Sequence, residues 1–145
     1  MATFSCNDID GFVVSMEEMA KLPERVIKDI VSSGANVIKE AHEKAIRSTF
    51  TPRTGRLMGS PKVFLKRKGK GWYALIYPEG THHTYRAKKT GSGIAANAEI
   101  GFVHEFGGHG NAATAWMLNA NEKSADATAQ AEEQVYDEWL NSLNL

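Results

Sequence analysis

The chain has 145 residues, of which 42% are hydrophobic, and 17 basic side chains balance 17 acidic ones. This length and composition predict a single domain over residues 1–145 that buries about two thirds of the unfolded surface. The lone cysteine, Cys6, excludes an internal disulfide framework and a cysteine-rich zinc site. No apolar run approaches the roughly 20 residues that span a bilayer, and residues 1–10 have no basic region, so we expect a soluble, cytoplasmically made protein without a membrane partner.

The charges are sorted along the chain although they sum to zero. Residues 53–90 carry ten Lys or Arg and one acid, a net charge of +9. Residues 91–145 carry eight acids and one Lys, a net charge of −7. Such a chain is expected to have one basic and one acidic end, through which copies attract one another, and its basic segment can attract phosphates.

The N-terminal third predicts a strand and a long helix. Residues 3–14 are typical of a short strand. From Pro23 to Phe50 apolar residues recur at the spacing of one helical face, and Pro23 suits the first turn. Gly34 lies in this apolar stripe, where glycine costs about 1 kcal/mol relative to alanine unless close packing requires it. His42 is predicted on the polar face.

The middle of the chain predicts β structure. Val63–Arg67 and Trp72–Tyr77 alternate with period two and flank a Lys-Gly-Lys-Gly turn, so they predict a hairpin with a basic tip. The polar, basic stretch 81–93 favours an extended loop or a long hairpin arm. The residues Ala98–Phe106 alternate well enough to predict a third, buried strand. The region from about 62 to 93 is thus expected to be a basic hairpin and loop arm.

The last segment, 112–140, predicts a second long helix whose small central residues, Ala127 and Ala131, allow another helix to approach closely. The order of elements predicts an α+β fold. In it, an antiparallel sheet made of the hairpin and a further strand is covered on one face by the long N-terminal helix and the C-terminal helix.

Sequence motifs give little support to catalysis or metal binding. His104 and His109 are five residues apart and separated by two glycines, which does not place both rings on one helical face as a zinc-protease motif requires. Glu105 is instead expected to end a strand and pair with a basic neighbour. Cys6 and the serines lack the context of a nucleophile. We therefore predict no enzyme, no metal and no cofactor.

The basic region is the candidate functional region, because so many like charges need a reason. We expect the neighbouring aromatic residues Trp72 and Tyr73 to pack into the core. The candidate residues form three groups. The hairpin-tip group is Lys66, Arg67, Lys68 and Lys70, and the loop group is Arg86, Lys88 and Lys89. The acidic group, on the last helix, is Glu132, Glu133, Asp137 and Glu138.

Two segments are specific when they are taken together. One is Thr51–Ser60, with the sequence TPRTGRLMGS, in which Thr54 and Gly55 predict a turn with positive φ that returns Leu57 to the core. The other is HEFG at 104–107, containing Glu105, Phe106 and Gly107, followed by AWMLNA at 115–120, which contains Trp116. In this order and spacing the chain resembles the phage neck and tail-completion family, the gene-product-ten-like minor tail components of long-tailed bacteriophages.

The resemblance implies a structural virion protein of the head–tail interface. Such proteins form a ring, here expected to be six-fold or twelve-fold, that joins the DNA-filled head to the tail and through which the genome passes. The implied partners are further copies of the chain, a head-side connector or stopper, a tail-tube or terminator protein, and genomic DNA. The implied location is the neck or tail of the virion, after assembly in the host cytoplasm.

The ring gives each charged group an expected role. The hairpin tip is expected to reach the acidic group of a neighbouring copy, and the loop group is expected to face the channel and its DNA. Two other functions stay open. The chain can be a free nucleic-acid-binding protein that uses residues 62–89, or, with less support, a small hydrolase.

Overall fold

The computed structural model describes residues 22–50, 57–69, 71–83 and 94–143. The strand predicted over 3–14 and the turn at Thr54 and Gly55 lie outside these residues. None of the described helices is both long and apolar enough to cross a membrane. In chain order the elements are α1 (Glu24–Thr49), β1 (Pro61–Lys68), β2 (Gly71–Pro78), β3 (Thr81–His83), β4 (Ile94–Ala96), α2 (Asn97–Phe106) and α3 (Trp116–Ser142).

Helix α1 confirms the long helix predicted from Pro23 to Phe50. Pro23 is the residue before the first helical turn, in an extended conformation with ψ 141°, and its carbonyl accepts hydrogen bonds from the N–H groups of Val26 and Ile27. Proline suits this place because it fixes φ and has no N–H that would lack a partner. The helix ends where Phe50 becomes extended, at φ −115° and ψ 138°.

Strands β1 and β2 form the predicted hairpin. They pair antiparallel from Pro61 opposite Pro78 to Lys68 opposite Gly71, which leaves a two-residue turn. Gly69 in this turn has φ +62°, a conformation that costs glycine little because it has no Cβ. The helix α1 packs against both strands of the hairpin.

The prediction of a third strand over Ala98–Phe106 is wrong. A second, separate two-stranded ladder joins β3 to β4, with Thr81 opposite Ala96, and the chain then turns directly into α2. Within α2 the buried residues are Asn97, Gly101 and Glu105, one helical turn apart. A segment of ten residues can satisfy both the alternating and the helical pattern, and here packing selects the helix.

Helix α3 confirms the predicted C-terminal helix, although it begins at Trp116 rather than at 112. It runs antiparallel to α1, since Ser33 Oγ donates to the carbonyl of Ala131 and His42 Nε2 bonds Asn121 Oδ1. The described core centres on Ala35 and Ile46 of α1 and on Trp116 and Ala120 of α3. The fold is α+β, as predicted, with a hairpin covered by the helical layer of α1 and α3.

Candidate functional site

The acid of the HEFG motif caps the last helix. Glu105 lies at the end of α2, is buried, and its carboxylate accepts hydrogen bonds from the N–H of Met117 at 2.6 Å and from that of Leu118 at 3.1 Å. These amides belong to the first turn of α3, where N–H groups have no partner within the helix and the helix dipole favours an anion. Ala115, the residue before α3, offers no side-chain cap of its own. The prediction that Glu105 ends a strand and pairs with a basic neighbour is therefore wrong.

Gly107 ends α2 and makes the turn toward α3. Its φ is +81°, and a Cβ there would lie 3.1 Å from the backbone nitrogen of Ala113 and 3.2 Å from the carbonyl oxygen of Asn111. Glycine is thus required both by conformation and by space. The turn at Gly107 follows a helix rather than the strand predicted over Ala98–Phe106. Phe106, the remaining residue of the motif, is 75% exposed.

Trp116 is the centre of the packing between α1, α2 and α3. It is only 1% exposed, and its indole N–H donates to the carbonyl of Gly101 at 3.0 Å. Its ring meets those of His42 and Phe50 edge-on, with centroids 5.4 and 6.2 Å apart. A Cβ on Gly101 would lie 3.1 Å from Pro78 and 3.4 Å from Trp116, so the glycine allows this close approach. Glu105, Gly107 and Trp116 together are called the α2–α3 joint below.

His42 belongs to this core and not to the polar face on which it was predicted. It is 2% exposed, and its Nε2 lies 2.8 Å from Asn121 Oδ1, an acceptor, so Nε2 carries the proton. Nδ1 is buried without a hydrogen-bond partner in the described part of the chain. Burial lowers the pKa of His42 below its ordinary value, against opposing effects of the Asn121 hydrogen bond and the nearby Glu105 carboxylate. The ring is therefore a neutral core group.

His104 and His109, the two histidines around the HEFG motif, have different surroundings. His104 packs its ring against Phe50, with centroids 4.5 Å apart, and His109 lies in the turn between α2 and α3 at φ +53°. The described residues contain no group of three His, Cys, Asp or Glu that could hold a metal ion.

The hairpin tip carries the predicted basic residues on its surface. Lys66, Arg67 and Lys68 are exposed, and Lys70 lies outside the described residues. Arg67 pairs with Glu24 at the start of α1 at 3.1 Å, whereas Lys66 and Lys68 have no acidic partner in the described part of the chain. The loop group Arg86, Lys88 and Lys89 also lies outside the described residues.

The acidic group on α3 lies beside the same end of α1 as the hairpin tip. Glu132 packs its carboxylate over Gly34, whose missing side chain leaves the space it occupies. Glu133 and Asp137 are exposed, and Glu138 accepts a hydrogen bond from Gln134. Arg67 of the hairpin tip contacts Glu24, and Trp72 opposite it contacts Lys28, about three and two turns before Gly34 along α1. Within the described residues both groups lie along the N-terminal half of α1. Most of the basic residues in the segment 53–90 lie outside the described residues, so the expectation of one basic and one acidic end stays a prediction.

The two faces of the hairpin differ. Residues opposite each other in an antiparallel pair share a face, and successive residues alternate. One face holds Arg67 and Trp72, which contact Glu24 and Lys28 of α1, so it is the inner face. Tyr73 is not packed into the core as predicted; it is 43% exposed. The residues of its face, called the outer hairpin face, are Lys62, Phe64, Lys66, Lys68, Gly71, Tyr73, Leu75 and Tyr77.

A second exposed apolar surface lies on α2. Glu99, Phe102 and Phe106 recur at helical spacing and are all exposed, and the two phenyl rings stack with centroids 6.2 Å apart. These three residues are called the α2 face. Sequence reasoning missed both surfaces. The period-two pattern of 72–77 held the signal for the first, since both of its alternating sets are apolar, and a helical reading of 97–106 would have found the second.

A groove of about 670 Å³ runs between α1 and α3. Small side chains line it, among them Ala41, Ala45 and Ala127, with Trp116 at the start of α3. Ala127 is exposed, so the prediction that it lets the helices approach closely is wrong. The close approach is instead at Ala131, whose carbonyl binds Ser33.

Comparison of the chain with models of protein families, with curated proteins and with solved structures finds no match. Fold and site define an α+β chain in which the HEFG motif and Trp116 build a structural joint, and in which the exposed aromatic and basic residues form surface patches.

Proposed function

We propose that this chain is a structural virion protein of the head–tail interface, whose copies form a ring that joins the DNA-filled head to the tail. The observation that carries the proposal is the structural role of Glu105. Its carboxylate is buried and holds two backbone N–H groups of α3, so the acid of the motif that resembles the neck and tail-completion family serves architecture. We therefore assign no catalytic residue and no cofactor, and we place the binding function on the surface of the chain.

The arrangement of charge supports assembly into a ring. Helix α1 contacts the hairpin and also α3, and the basic tip and the acidic group both lie along its N-terminal half. Subunits standing side by side around an axis present the same level of the molecule to their neighbours. The tip of one copy (Lys66, Arg67, Lys68) can then reach Glu133, Asp137 and Glu138 of the next, which orients the contact.

The proposal is tested by the mass and shape of the purified full chain. We expect a native mass of six or twelve copies and a closed ring in negative-stain images. A chain that remains a monomer at high concentration contradicts the proposal.

Two matched triple substitutions test the expected roles of the basic groups. Reversing Lys66, Arg67 and Lys68 to Glu should block the ring, because like charges would face the acidic group of the neighbour. Reversing Arg86, Lys88 and Lys89 should leave the ring intact and reduce the infectivity of assembled particles. Each exposed pair contributes only about 0.2–1 kcal/mol and is screened by salt, so ring formation should also weaken near 1 M salt if the tip contacts dominate. Normal assembly and infectivity of both variants would remove the charged groups from the proposal.

A second function, binding of free single-stranded nucleic acid, is favoured by one observation. The outer hairpin face places the exposed ring of Tyr73 directly opposite Lys66, and such pairs of aromatic and basic residues bind bases and phosphates. A monomer that binds single-stranded DNA tightly at physiological salt would support this second function.

A further inference from the structure

The outer hairpin face is a sheet surface that no described element covers. Phe64 and Tyr77 stack on it with centroids 4.6 Å apart, and Tyr73 and Leu75 are 43% and 44% exposed. The register places Lys66 opposite Tyr73 and Lys62 opposite Tyr77, so the apolar centre has basic residues at both ends. Exposed apolar surface framed by charge is typical of an interaction site.

The α2 face has the opposite character. Its two stacked phenylalanines are exposed, Phe106 more than any other large apolar residue described, and Glu99 lies one turn before them. Leu118 is also exposed, and its backbone binds Glu105, the neighbour of Phe106 in sequence. Glu122 follows one turn later on the same side of α3. This surface is therefore apolar with an acidic rim.

The two faces of one chain do not cover each other. The hairpin lies against α1 with its tip at Glu24. Helix α2 lies near the other end of α1, where His104 packs on Phe50, and its buried side meets the base of the hairpin at Pro78 through Gly101. A basic apolar surface and an acidic apolar surface on different parts of one chain are complementary between copies. A contact between two different surfaces of identical chains is heterologous, and repeating it gives a ring when the rotation from one copy to the next closes and an open filament when it does not.

We propose that the outer hairpin face of one copy docks on the α2 face of the next copy. This contact rests on the proposed function and specifies which two surfaces join neighbouring copies in the ring. The aromatic and aliphatic side chains supply the buried centre, and Lys62 facing Glu99 and Glu122 fixes its orientation. A nucleic acid as occupant would account for the hairpin alone. It would leave the phenylalanines of the acidic face exposed.

Two variants, each blocking one surface, test the contact. One is Tyr73→Ser with Leu75→Ser, and the other is Phe102→Ser with Phe106→Ser. Each variant alone should lose the ring and sediment as a monomer. A one-to-one mixture should form a heterodimer and nothing larger, because one intact hairpin face then meets one intact α2 face. The matched control, Leu143→Ser, removes a similarly exposed apolar residue outside both surfaces and should leave the ring unchanged.

The alternatives give different results. If the unsubstituted chain forms no ring, both the proposed function and this contact fail. If the unsubstituted chain and both variants form rings, only the contact fails, and the proposed function stands. A mixture that remains monomeric, or variants that each form homodimers, also overturns the contact. So does a hairpin variant that keeps the ring but no longer binds a single-stranded oligonucleotide. Circular dichroism and melting temperature should match those of the unsubstituted chain, and a variant that fails this check is replaced by Tyr73→Lys or Phe106→Lys.

Discussion

The α2–α3 joint and the outer hairpin face combine the same kinds of residue, aromatic rings beside charged groups, but they use them in opposite ways. In the joint, Trp116 is buried with its indole N–H bonded, and both oxygens of Glu105 are occupied. On the outer hairpin face Tyr73 is exposed, and Lys66 has no acidic partner in the described part of the chain. Substitution in the joint should therefore lower the stability of the fold, whereas substitution on the face should change mainly what the chain binds.

The largest difference in stability is expected between substitutions of Trp116 and of Tyr73. Trp116→Ala should lower the free energy of unfolding by about 3–5 kcal/mol, because it empties a packed site between three helices. Tyr73→Ala should lower it by less than about 1 kcal/mol, since the ring is already partly in water. Urea denaturation of both variants gives the two values. Similar losses would show that the outer hairpin face is part of the core.

The two acids of α2 extend the comparison. Glu105→Gln keeps the shape of the side chain but replaces one acceptor oxygen by an N–H₂ donor facing a backbone N–H. We expect a loss of about 1.5–3 kcal/mol, the usual effect of breaking a hydrogen bond to a charged group. Glu99→Gln, at an exposed position of the same helix, should stay within about 0.5 kcal/mol. Thermal or urea unfolding at neutral pH measures both, and a neutral effect at Glu105 would refute the cap.

His42 makes the joint sensitive to acid. Its pKa is lowered in the folded chain, so below the ordinary value of 6.5 the unfolded chain binds a proton that the folded chain does not. Stability should therefore fall as pH decreases below 6.5, by at most about 1.4 kcal/mol per pH unit. His42→Gln should remove this part of the slope. Unfolding at pH 7 and pH 5 tests it, and a larger slope in the variant would contradict the buried neutral ring.

The smallest effect concerns Gly34 and Glu132. Alanine at 34 should gain about 1 kcal/mol of helix propensity, but its Cβ would displace the Glu132 side chain. In the unsubstituted chain the two effects should nearly cancel. In a Glu132→Ala background Gly34→Ala should stabilise by about 1 kcal/mol, which a double-mutant cycle measures. The same effect in both backgrounds would show that the two residues do not interact.

The elements that the sequence predicted correctly are those with long, unambiguous periods. Helix α1 repeats its apolar stripe over seven turns, and the hairpin pairs two alternating strands across a glycine turn. Helix α2 was missed because ten residues fit two periods. The role of Glu105 could not be read from its neighbours in sequence, since its partners, Met117 and Leu118, are 12 and 13 residues further along. The buried site of His42 also depends on a partner, Asn121, that is 79 residues away.

The cap at Glu105 also links the opening motions of two helices. The amides of Met117 and Leu118 are held by a side chain of α2, and the N–H of Thr114 is held by the carbonyl of His104. A helix of ten residues is marginal alone, so α2 depends on α3 and Trp116 for its stability, and the first turn of α3 depends on α2. In native-state hydrogen exchange, these three amides should therefore open together with the amides of α2 and not with the remainder of α3. The first turn of α3 should thus unfold locally together with the short helix α2 that precedes it.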